Sequence, residues 1–180
     1  MRWNMLRLRP YKNCDAAAIA SWIGSEYACR QWSADRYDHY PVTAEDINEN
    51  YSQTAGNDSF FAMTAFDENG AAGHLTMRYT DAEKRTLRFG FVIVDDKRRG
   101  MHVGSEMLRL AARFAFEIMG AKRVTLGVFE NNPAARRCYS AVGFREITPE
   151  KPEVYRCMGE NWKCVEMELL KQDFNAAARQ

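Results

Sequence analysis

The part of this 180-residue sequence that most constrains its fold is the segment between positions 85 and 120. It opens with a run that ends FGFVIV, whose continuous apolar character is typical of a strand buried on both faces of a sheet. The charged turn DDKRRG follows, and apolar residues then recur at helical spacing between positions 103 and 118 until Gly120 ends the helix. A buried strand, a short loop and an amphipathic helix in this order predict a sheet covered by helices.

The rest of the chain extends this plan with strands and short helices. Apolar runs predict strands at residues 5–9, 59–66, 72–79, 85–94, 123–129, 144–147 and 162–170. Further helices are predicted at residues 15–23 with Asp15 as N-cap, at 44–51 after Thr43, and at 133–142 after Asn132. Residues 29–41 and 149–160 are predicted to be irregular. We therefore expect an α/β fold of the mixed α+β kind, in one domain at residues 5–171 with a C-terminal tail at 172–180.

Composition and charge argue against several classes of protein. Lys plus Arg count 25 and Asp plus Glu count 24, so the formal charge of +1 gives no reason to expect nucleic-acid binding. No run approaches the ~20 apolar residues of a transmembrane helix, and the first ten residues do not resemble a secretory signal. The five cysteines are scattered without a CxxC pair, so neither disulfides nor a metal site is expected. We expect a cytoplasmic monomer or homodimer that does not bind membranes.

An anion-binding loop is the first functional element that the sequence predicts. At residues 94–105 the buried strand enters a loop that contains Lys97, Arg98 and Arg99, and the long helix begins directly afterwards. The free N–H groups of a helix start and the helix dipole bind anions, and Gly100 and Gly104 let a phosphate approach the backbone closely. The spacing matches neither the Walker loop nor the dinucleotide fingerprint. A solvated charge run before a surface helix explains the same residues, so spacing alone leaves both interpretations open.

A second motif near position 132 identifies a family. Its residues fit the pattern Asn-x-x-Ala-x-x-x-Tyr-x-x-x-Gly-Phe at Asn132, Ala135, Tyr139, Gly143 and Phe144. Together with the loop at residues 99–104, in the same order and at a matching separation, this resembles the GNAT superfamily of N-acetyltransferases. The opening LRLRPYKNCDAAAIASWI is similar to the branch that contains the ribosomal-protein N-terminal acetyltransferases, and the resemblance covers about residues 5–170.

The resemblance implies a central, mostly antiparallel, splayed sheet flanked by about four helices, with acetyl-CoA inserted between residues 91–94 and the strand RVTLGVF. The loop and helix start would bind the pyrophosphate, and Asn132 would bind the pantetheine as well as cap its helix. Arg136 or Arg137 could reach the nucleotide phosphates, although a solvated helix face explains them too. The implied cofactor-binding residues are Val92, Ile93, Val94, Arg99, Gly100, Met101, His102, Val103, Gly104, Ser105, Asn132 and Ala135.

The activity implied by the resemblance is the transfer of an acetyl group from acetyl-CoA to a primary amine, either a protein N-terminus or a small molecule. The amine would attack directly, and a backbone N–H near Ile93 or Val94 would stabilise the oxyanion. Tyr139 stands at the family position of the general acid that protonates the thiolate. Each role has a structural alternative, since Tyr139 could be a packed core aromatic and Asn132 could be an N-cap alone.

Two departures from the family pattern bear on this interpretation. His102 replaces the first glycine of the phosphate loop, which costs ~1–3 kcal/mol only if the backbone there needs a positive φ. We expect anion binding to be retained, because the N–H group remains. The positions that often carry a glutamate base are Arg88 and Gly127, so the base is unassigned among Glu130, His74, Asp81 and Tyr155.

The acceptor side is less defined than the cofactor side. Trp32, Tyr37 and Tyr40 lie where the family builds its acceptor wall, and with His74 and Glu130 they are the candidate substrate-binding residues. The same aromatic residues could simply cover the sheet edge. The missing glutamates and His102 also leave a second class of function open, a catalytically weak acyl-CoA-binding sensor or interaction module.

Overall fold

A computed structural model describes residues 5–177 as an eight-stranded sheet with six α-helices. The strands are β1 (Arg7–Pro10), β2 (Phe60–Asp67), β3 (Gly70–Tyr79), β4 (Thr86–Val94), β5 (Arg123–Phe129), β6 (Arg145–Ile147), β7 (Val154–Cys157) and β8 (Glu160–Leu170). The helices are α1 (Ala16–Ser21), α2 (Glu26–Ser33), α3 (Ala44–Ser52), α4 (Val103–Arg113), α5 (Pro133–Val142) and α6 (Lys171–Ala177). Of the sequence predictions, those for residues 1–4 and 178–180 lie outside the described residues.

The sheet has the order β1-β2-β3-β4-β5-β8-β6, with β7 paired to β8 alone. Only the β4–β5 pair is parallel, which confirms the predicted mixed and mostly antiparallel sheet. Helices α4 and α5 pack with Leu87 and Phe89 of β4 in one apolar cluster. Helices α1, α2 and α3 form a second cluster that includes Ile93. The helices therefore form two groups around the sheet, and no helix of the described chain is long and apolar enough to cross a membrane.

The two central strands separate halfway along their length. Strands β4 and β5 pair from Thr86↔Arg123 to Phe89↔Leu126, and the ladder stops there. On the other side of β4, Thr76 pairs with Gly90 while His74 pairs with Ile93, so two residues of β4 face one of β3. This β-bulge contains Phe91, whose φ is 49°. Because a bulge bends its strand, β4 turns away from β5 and a wedge opens between them, which confirms the predicted splay.

Two predicted irregular segments contain regular structure. Helix α2 begins before the stretch that we expected to be irregular, residues 29–41, and extends into it as far as Ser33; Ser25 caps this helix by accepting a hydrogen bond from the Ala28 N–H at 3.1 Å. The expected loop at 149–160 contains β7, which forms a hairpin with β8 through Met158 and Gly159, both at positive φ. Helix α6 occupies most of the expected tail. Residues 5–177 therefore contain six α-helices, where about four were expected.

Asp15 has a different role from the predicted cap of α1. Its backbone is helical and its side chain makes no capping bond to α1, which ends at Ser21 rather than near position 23. The carboxylate accepts hydrogen bonds from Arg9 at 2.7 and 2.8 Å, the Lys12 N–H at 2.9 Å and Thr64 Oγ1 at 2.8 Å. Burial opposes ionisation of Asp15, but these bonds outweigh it and lower its pKa to about 2. Asp15 thus ties the first strand to the second.

The long helix ends differently from its sequence pattern. After α4 the chain continues as one π-helical turn, Phe114–Ile118, closed by the Met119 N–H bonding to Phe114 O at 3.0 Å. A π turn adds a residue and rotates the side chains that follow it. Ile118, which the helical spacing assigns to the apolar face, is therefore 69% exposed.

Candidate functional site

A cavity of about 640 Å³ fills the wedge between β4 and β5. Its walls come from the separated strands, the loop before α4, and one face of α5, while Trp22, Ile23, Gln31 and Trp32 close it from the N-terminal side. The outer edges of the two strands pair here with β3 and β8, but the edges that face each other across the wedge do not pair, since the β4–β5 ladder ends at Phe89↔Leu126. The wedge can therefore accept an extended chain that bonds to strand backbone.

The loop before α4 presents two of its three predicted cations, Arg98 and Arg99, to the cavity. Asp95 caps the short 3₁₀ turn Asp96–Arg98 by accepting from the Lys97 N–H at 3.0 Å. Arg98 pairs with Asp67 at 2.6 Å and Asp95 at 3.5 Å, so its charge is already neutralised. Arg99 donates to Trp22 O at 3.2 Å and lines the cavity, and Lys97 is exposed away from it. Arg99 is the loop cation placed to meet an anion.

The start of α4 supplies the backbone donors. His102 is the N-cap residue, with φ 62° and ψ 5°, and its side chain makes no capping bond. The His102 carbonyl accepts hydrogen bonds from Ser105 Oγ at 2.9 Å and from the Glu106 N–H at 3.0 Å. The N–H groups that precede Glu106 in the first turn have no partner within the helix, so a ligand can bind them. A Cβ at Gly104 would lie 3.3 Å from Cys138 Sγ, so glycine lets α4 and α5 approach closely here.

The twelve residues predicted to bind the cofactor converge on this wedge with one exception. Eleven of them line the cavity: Val92, Ile93, Val94, Arg99, Gly100, His102, Val103, Gly104, Ser105, Asn132 and Ala135. Met101 does not line it and is 65% exposed. The reason is that His102 turns the chain at its left-handed conformation, so the side chain just before it points away from the helix start.

Helix α5 presents its polar residues to the same cavity. The Asn132 side chain accepts from the Ala135 N–H at 3.2 Å, and Pro133 fills the first helical position. Tyr139 lies two turns further along, on the same face, and lines the cavity. Arg137 also lines the cavity and is exposed, whereas Arg136 pairs with Glu146. Asn132 is therefore both an N-cap and a cavity wall.

Tyr139 combines burial with access to the cavity. It is 7% exposed and its ring lies 6.3 Å from that of Phe144. Burial, and to a lesser degree Cys138, raise the pKa of the Tyr139 phenol above its ordinary value. The phenol is therefore neutral at any working pH and can donate a proton or a hydrogen bond.

The wedge cavity has no carboxylate in its wall. Among the described residues, none of those that line it is Asp or Glu, and His102 is its one imidazole. At the positions where the family often carries a glutamate, Arg88 pairs with Glu166, and a Cβ on Gly127 would lie 2.6 Å from Cys164 Sγ. The residues that would deprotonate an amine are therefore not in this wall.

The four candidate bases lie outside the wedge and have other partners. His74 is fully buried with Nε2 2.6 Å from the Tyr51 hydroxyl oxygen, and burial lowers its pKa to about 3. Glu130 is exposed and pairs with Lys163 at 3.1 Å. Asp81 accepts from the backbone N–H of Thr86 at 2.7 Å, and Tyr155 donates to Glu153 at 2.8 Å. None of the four lines the wedge cavity.

The aromatic residues near position 32 divide between the two expected roles. Trp32 lines the cavity and stacks on Tyr37 with ring centroids 5.7 Å apart. Tyr37 is 6% exposed, and Tyr40 donates to Ile23 O at 3.3 Å, so both cover the apolar cluster of α1, α2 and α3. Trp32 forms part of the wall, and the two tyrosines support it.

A second cavity, of about 680 Å³, was not anticipated from the sequence. Its lining comes from β3, β4, β5 and β8 and from the loop after β6: Arg78, Thr80, Thr86, Arg88, Arg123, Thr125, Ile147, Thr148, Pro149, Glu150, Lys151, Glu153, Cys164 and Glu166. Polar residues at alternate strand positions are the sequence signal for it. The same alternation is equally typical of a sheet face that is exposed to solvent. Only the tertiary structure shows which strands lie side by side and so form a cavity.

Comparisons with known proteins agree with this geometry. The family model described as an acetyltransferase (GNAT) domain matches residues 5–145. Among solved structures, the spermidine N-acetyltransferase from Vibrio cholerae in complex with CoA and spermine is 18% identical, with 94% of this chain and 98% of that chain covered and a TM-score of 0.79. A chimera of that enzyme with hSSAT has the same identity and coverage and a TM-score of 0.75. At this identity the two structures establish the fold. Within the described residues, no cluster of three or more His, Cys, Asp or Glu side chains is arranged to hold a metal ion.

Proposed function

The chain belongs to the GNAT family of acetyltransferases, as an acyltransferase with acetyl-CoA as co-substrate, and on that premise we propose the chemistry of each half of its site. The acceptor is a primary amine, either a protein N-terminus or a small molecule. It attacks the thioester directly, and Tyr139 is the general acid. We assign this activity to a single domain at residues 5–171 that does not bind nucleic acid.

The cofactor half is proposed from the backbone donors and cations of the wedge. The first-turn N–H groups of α4 and the Arg99 guanidinium would bind the pyrophosphate. Arg137 is exposed at the cavity rim and free to meet a further phosphate. The pantetheine arm would lie between β4 and β5 and bond to the unpaired strand backbone, with Asn132 at its side.

The observation that carries the mechanism is a buried, neutral phenol in the wall of this wedge. When the amine attacks, a C–N bond forms and the C–S bond breaks, and a backbone N–H of β4 near Ile93 or Val94 stabilises the oxyanion. The departing thiolate takes the proton of Tyr139, which solvent then restores. The amine loses its own proton to water, since no carboxylate of the described chain lines the wedge.

The test is Tyr139→Phe, compared with Tyr27→Phe as a control. We expect at least a ~100-fold fall in kcat for Tyr139→Phe with an almost unchanged Kd for acetyl-CoA, because only the proton donor is lost. Tyr27 is 43% exposed and does not line the wedge, so its variant should match the parent. Release of free CoA and calorimetric binding of acetyl-CoA are the two measurements.

Two outcomes would contradict the proposal in different ways. An unchanged kcat in Tyr139→Phe would remove the acid role and leave the enzyme intact. Tight binding of acetyl-CoA without CoA release, across a panel of amines and N-terminal peptides that includes spermidine, would favour a sensor or interaction module instead.

A further inference from the structure

The second cavity adjoins the acyl site across a single glycine. Gly127 lines the wedge, and it marks the point where β5 parts from β4. A Cβ at this position would lie 2.6 Å from Cys164 Sγ and 2.9 Å from Arg88 Nη2, and both of those residues line the second cavity. The backbone of Gly127, which has no side chain, is therefore all that separates an acceptor in the second cavity from the acyl site at this point.

The floor of the second cavity holds two arginines in an unfavourable arrangement. Arg78 of β3 and Arg88 of β4 are direct cross-strand partners. Like charges in facing positions of a sheet destabilise it. Arg78 is itself exposed; partial burial of its guanidinium, followed by the positive charges of Arg88 and Arg36, lowers its pKa, and the charge of Glu153 acts in the opposite direction. The fold therefore maintains a concentration of positive charge at this point.

The carboxylates around this floor balance its charge in total but pair with residues other than Arg78. Glu166 pairs with Arg88, and Glu168 pairs with Arg123 at 2.8 Å. Within the described chain no Asp or Glu lies within 4.0 Å of the Arg78 guanidinium. The rim of the cavity carries three exposed charged residues, Glu150, Lys151 and Glu153. The lysine offsets the negative charge of one glutamate, and the Glu153 carboxylate accepts a hydrogen bond from the Tyr155 hydroxyl. Among residues 5–177, Arg78 is thus the floor arginine without a carboxylate partner.

We propose that the second cavity is the acceptor site and that it selects a primary amine carrying an anionic group, a carboxylate or a phosphate, which Arg78 binds. This proposal rests on the proposed acetyltransferase function and specifies its substrate class. An arginine fork matches both anions in geometry and charge. Arg88 is held by Glu166 and would add charge rather than a free donor.

The sheet geometry sets the length of such an acceptor. Arg78 and Gly127 lie on β3 and β5, two strand spacings apart, and their register differs by two residues. With ~4.8 Å between strands and ~3.4 Å per residue, their Cα atoms are about 12 Å apart. Because the arginine side chain spans part of this gap, the anion must lie several bonds from the amine. A free amino acid such as glycine is too short.

The acceptor test uses matched pairs that differ in the anionic group alone. We expect kcat/KM to be at least ~10-fold higher for glucosamine 6-phosphate than for glucosamine, or for an N-terminal peptide with Glu at its second position than for the Gln peptide. The first pair identifies a phosphate acceptor and the second a carboxylate acceptor. Spermidine, which is a polycation, should be poorer than the preferred anionic member.

The variant test uses Arg78→Gln, Arg78→Lys and the control Arg113→Gln. Arg78→Gln should raise KM for the anionic acceptor by about 10-fold or more and leave kcat for its neutral partner unchanged, while Arg78→Lys should restore part of the loss. Arg113 is an exposed arginine of α4 that lines neither cavity, so its variant should behave like the parent. Arg88 is unsuitable because its removal would leave Glu166 without a partner.

The outcomes separate this proposal from the one on which it rests. Equal or better turnover of the neutral member in both pairs, or turnover of spermidine that matches or exceeds that of the better anionic acceptor, would overturn the anionic acceptor and leave the acetyltransferase intact. The same conclusion follows if Arg78→Gln affects both members of a pair equally. If no amine releases CoA, the enzymatic function itself fails.

Discussion

At the scale of single residues, His102 is the position where the sequence motif can be compared most directly with the observed backbone conformation. The residue takes φ 62°, in the left-handed region that costs an L-residue ~1–2 kcal/mol. Its side chain makes no capping bond that would offset this cost. The family pattern has glycine here, which adopts the same conformation freely. His102 nevertheless lines the cavity, and like glycine it has a backbone N–H that could bind a phosphate.

The first prediction compares His102→Gly with His102→Ala. Glycine removes the left-handed cost but adds freedom to the unfolded chain, so the free energy of unfolding should rise by up to ~1 kcal/mol. Alanine keeps the cost and should bring no gain. Both variants retain the N–H group, so the Kd for acetyl-CoA should stay close to that of the parent.

Urea unfolding gives the free energies for this comparison, and calorimetry gives the Kd. A His102→Gly protein that is less stable than the parent would mean that the imidazole makes a stabilising contact. A large loss of acetyl-CoA affinity in both variants would mean that the imidazole itself binds the phosphate.

At the scale of elements, the N-cap residue of α5 has both a structural and a proposed functional role. Asn132 caps the helix at 3.2 Å and also forms part of the cavity wall. The cap alone would explain an asparagine at this position. Its place in the wedge, two turns before Tyr139, is what supports a second role. The stability of the helix start and the binding of pantetheine are therefore two properties of one side chain.

Two substitutions at Asn132 separate these properties. Asn132→Ser keeps a good N-cap oxygen but loses the amide, whereas Asn132→Ala loses both. We expect Asn132→Ala to lower the free energy of unfolding by about 1 kcal/mol and Asn132→Ser to leave it nearly unchanged. Both should weaken acetyl-CoA binding, by ~5-fold or more, if the amide bonds the pantetheine. An unchanged Kd for Asn132→Ser would show that Asn132 is a cap alone.

At the scale of the whole molecule, the site has an acid without a matching base. Tyr139 is buried and its raised pKa keeps it protonated, whereas the wedge wall of the described chain contains no carboxylate. His74 is neutral above about pH 3 because burial lowers its pKa, and it lies outside the wedge. In the proposed mechanism the amine would therefore reach the thioester already deprotonated, and its own pKa would control the rate.

This arrangement predicts a pH profile that follows the acceptor. For an α-amine, with a pKa of about 8, kcat/KM should rise to a plateau near that pH, whereas for an alkylamine of pKa ~10.4 it should still be rising at pH 9. Because the raised pKa of Tyr139 keeps the acid protonated, no alkaline fall is expected below pH 10. Rates of CoA release with the two amines over pH 6–10 provide the test. A common midpoint for both amines would instead indicate a base on the protein.

The sequence alone determined the cofactor half of this protein because that half is built from local signals. A buried strand, a glycine-containing loop and a helix start are contiguous at residues 94–105, and Asn132 and Tyr139 share one helix face through helical periodicity. Helix α2 and strand β7 escaped prediction because Ser25 and Met158-Gly159 are weak local signals, so their formation depends on packing and on pairing with β8.

Only the tertiary structure decided the acceptor half and the conformation of His102. Three different strands carry Arg78, Arg88 and Gly127. No short-range sequence pattern predicts that β3, β4 and β5 are neighbours, or where β4 and β5 separate. The sign of φ at His102 likewise depends on how the loop is held between Arg98, Asp67 and Trp22. Local chemistry thus indicated where we propose that the acetyl donor binds, and long-range strand pairing decided which charges line the second cavity.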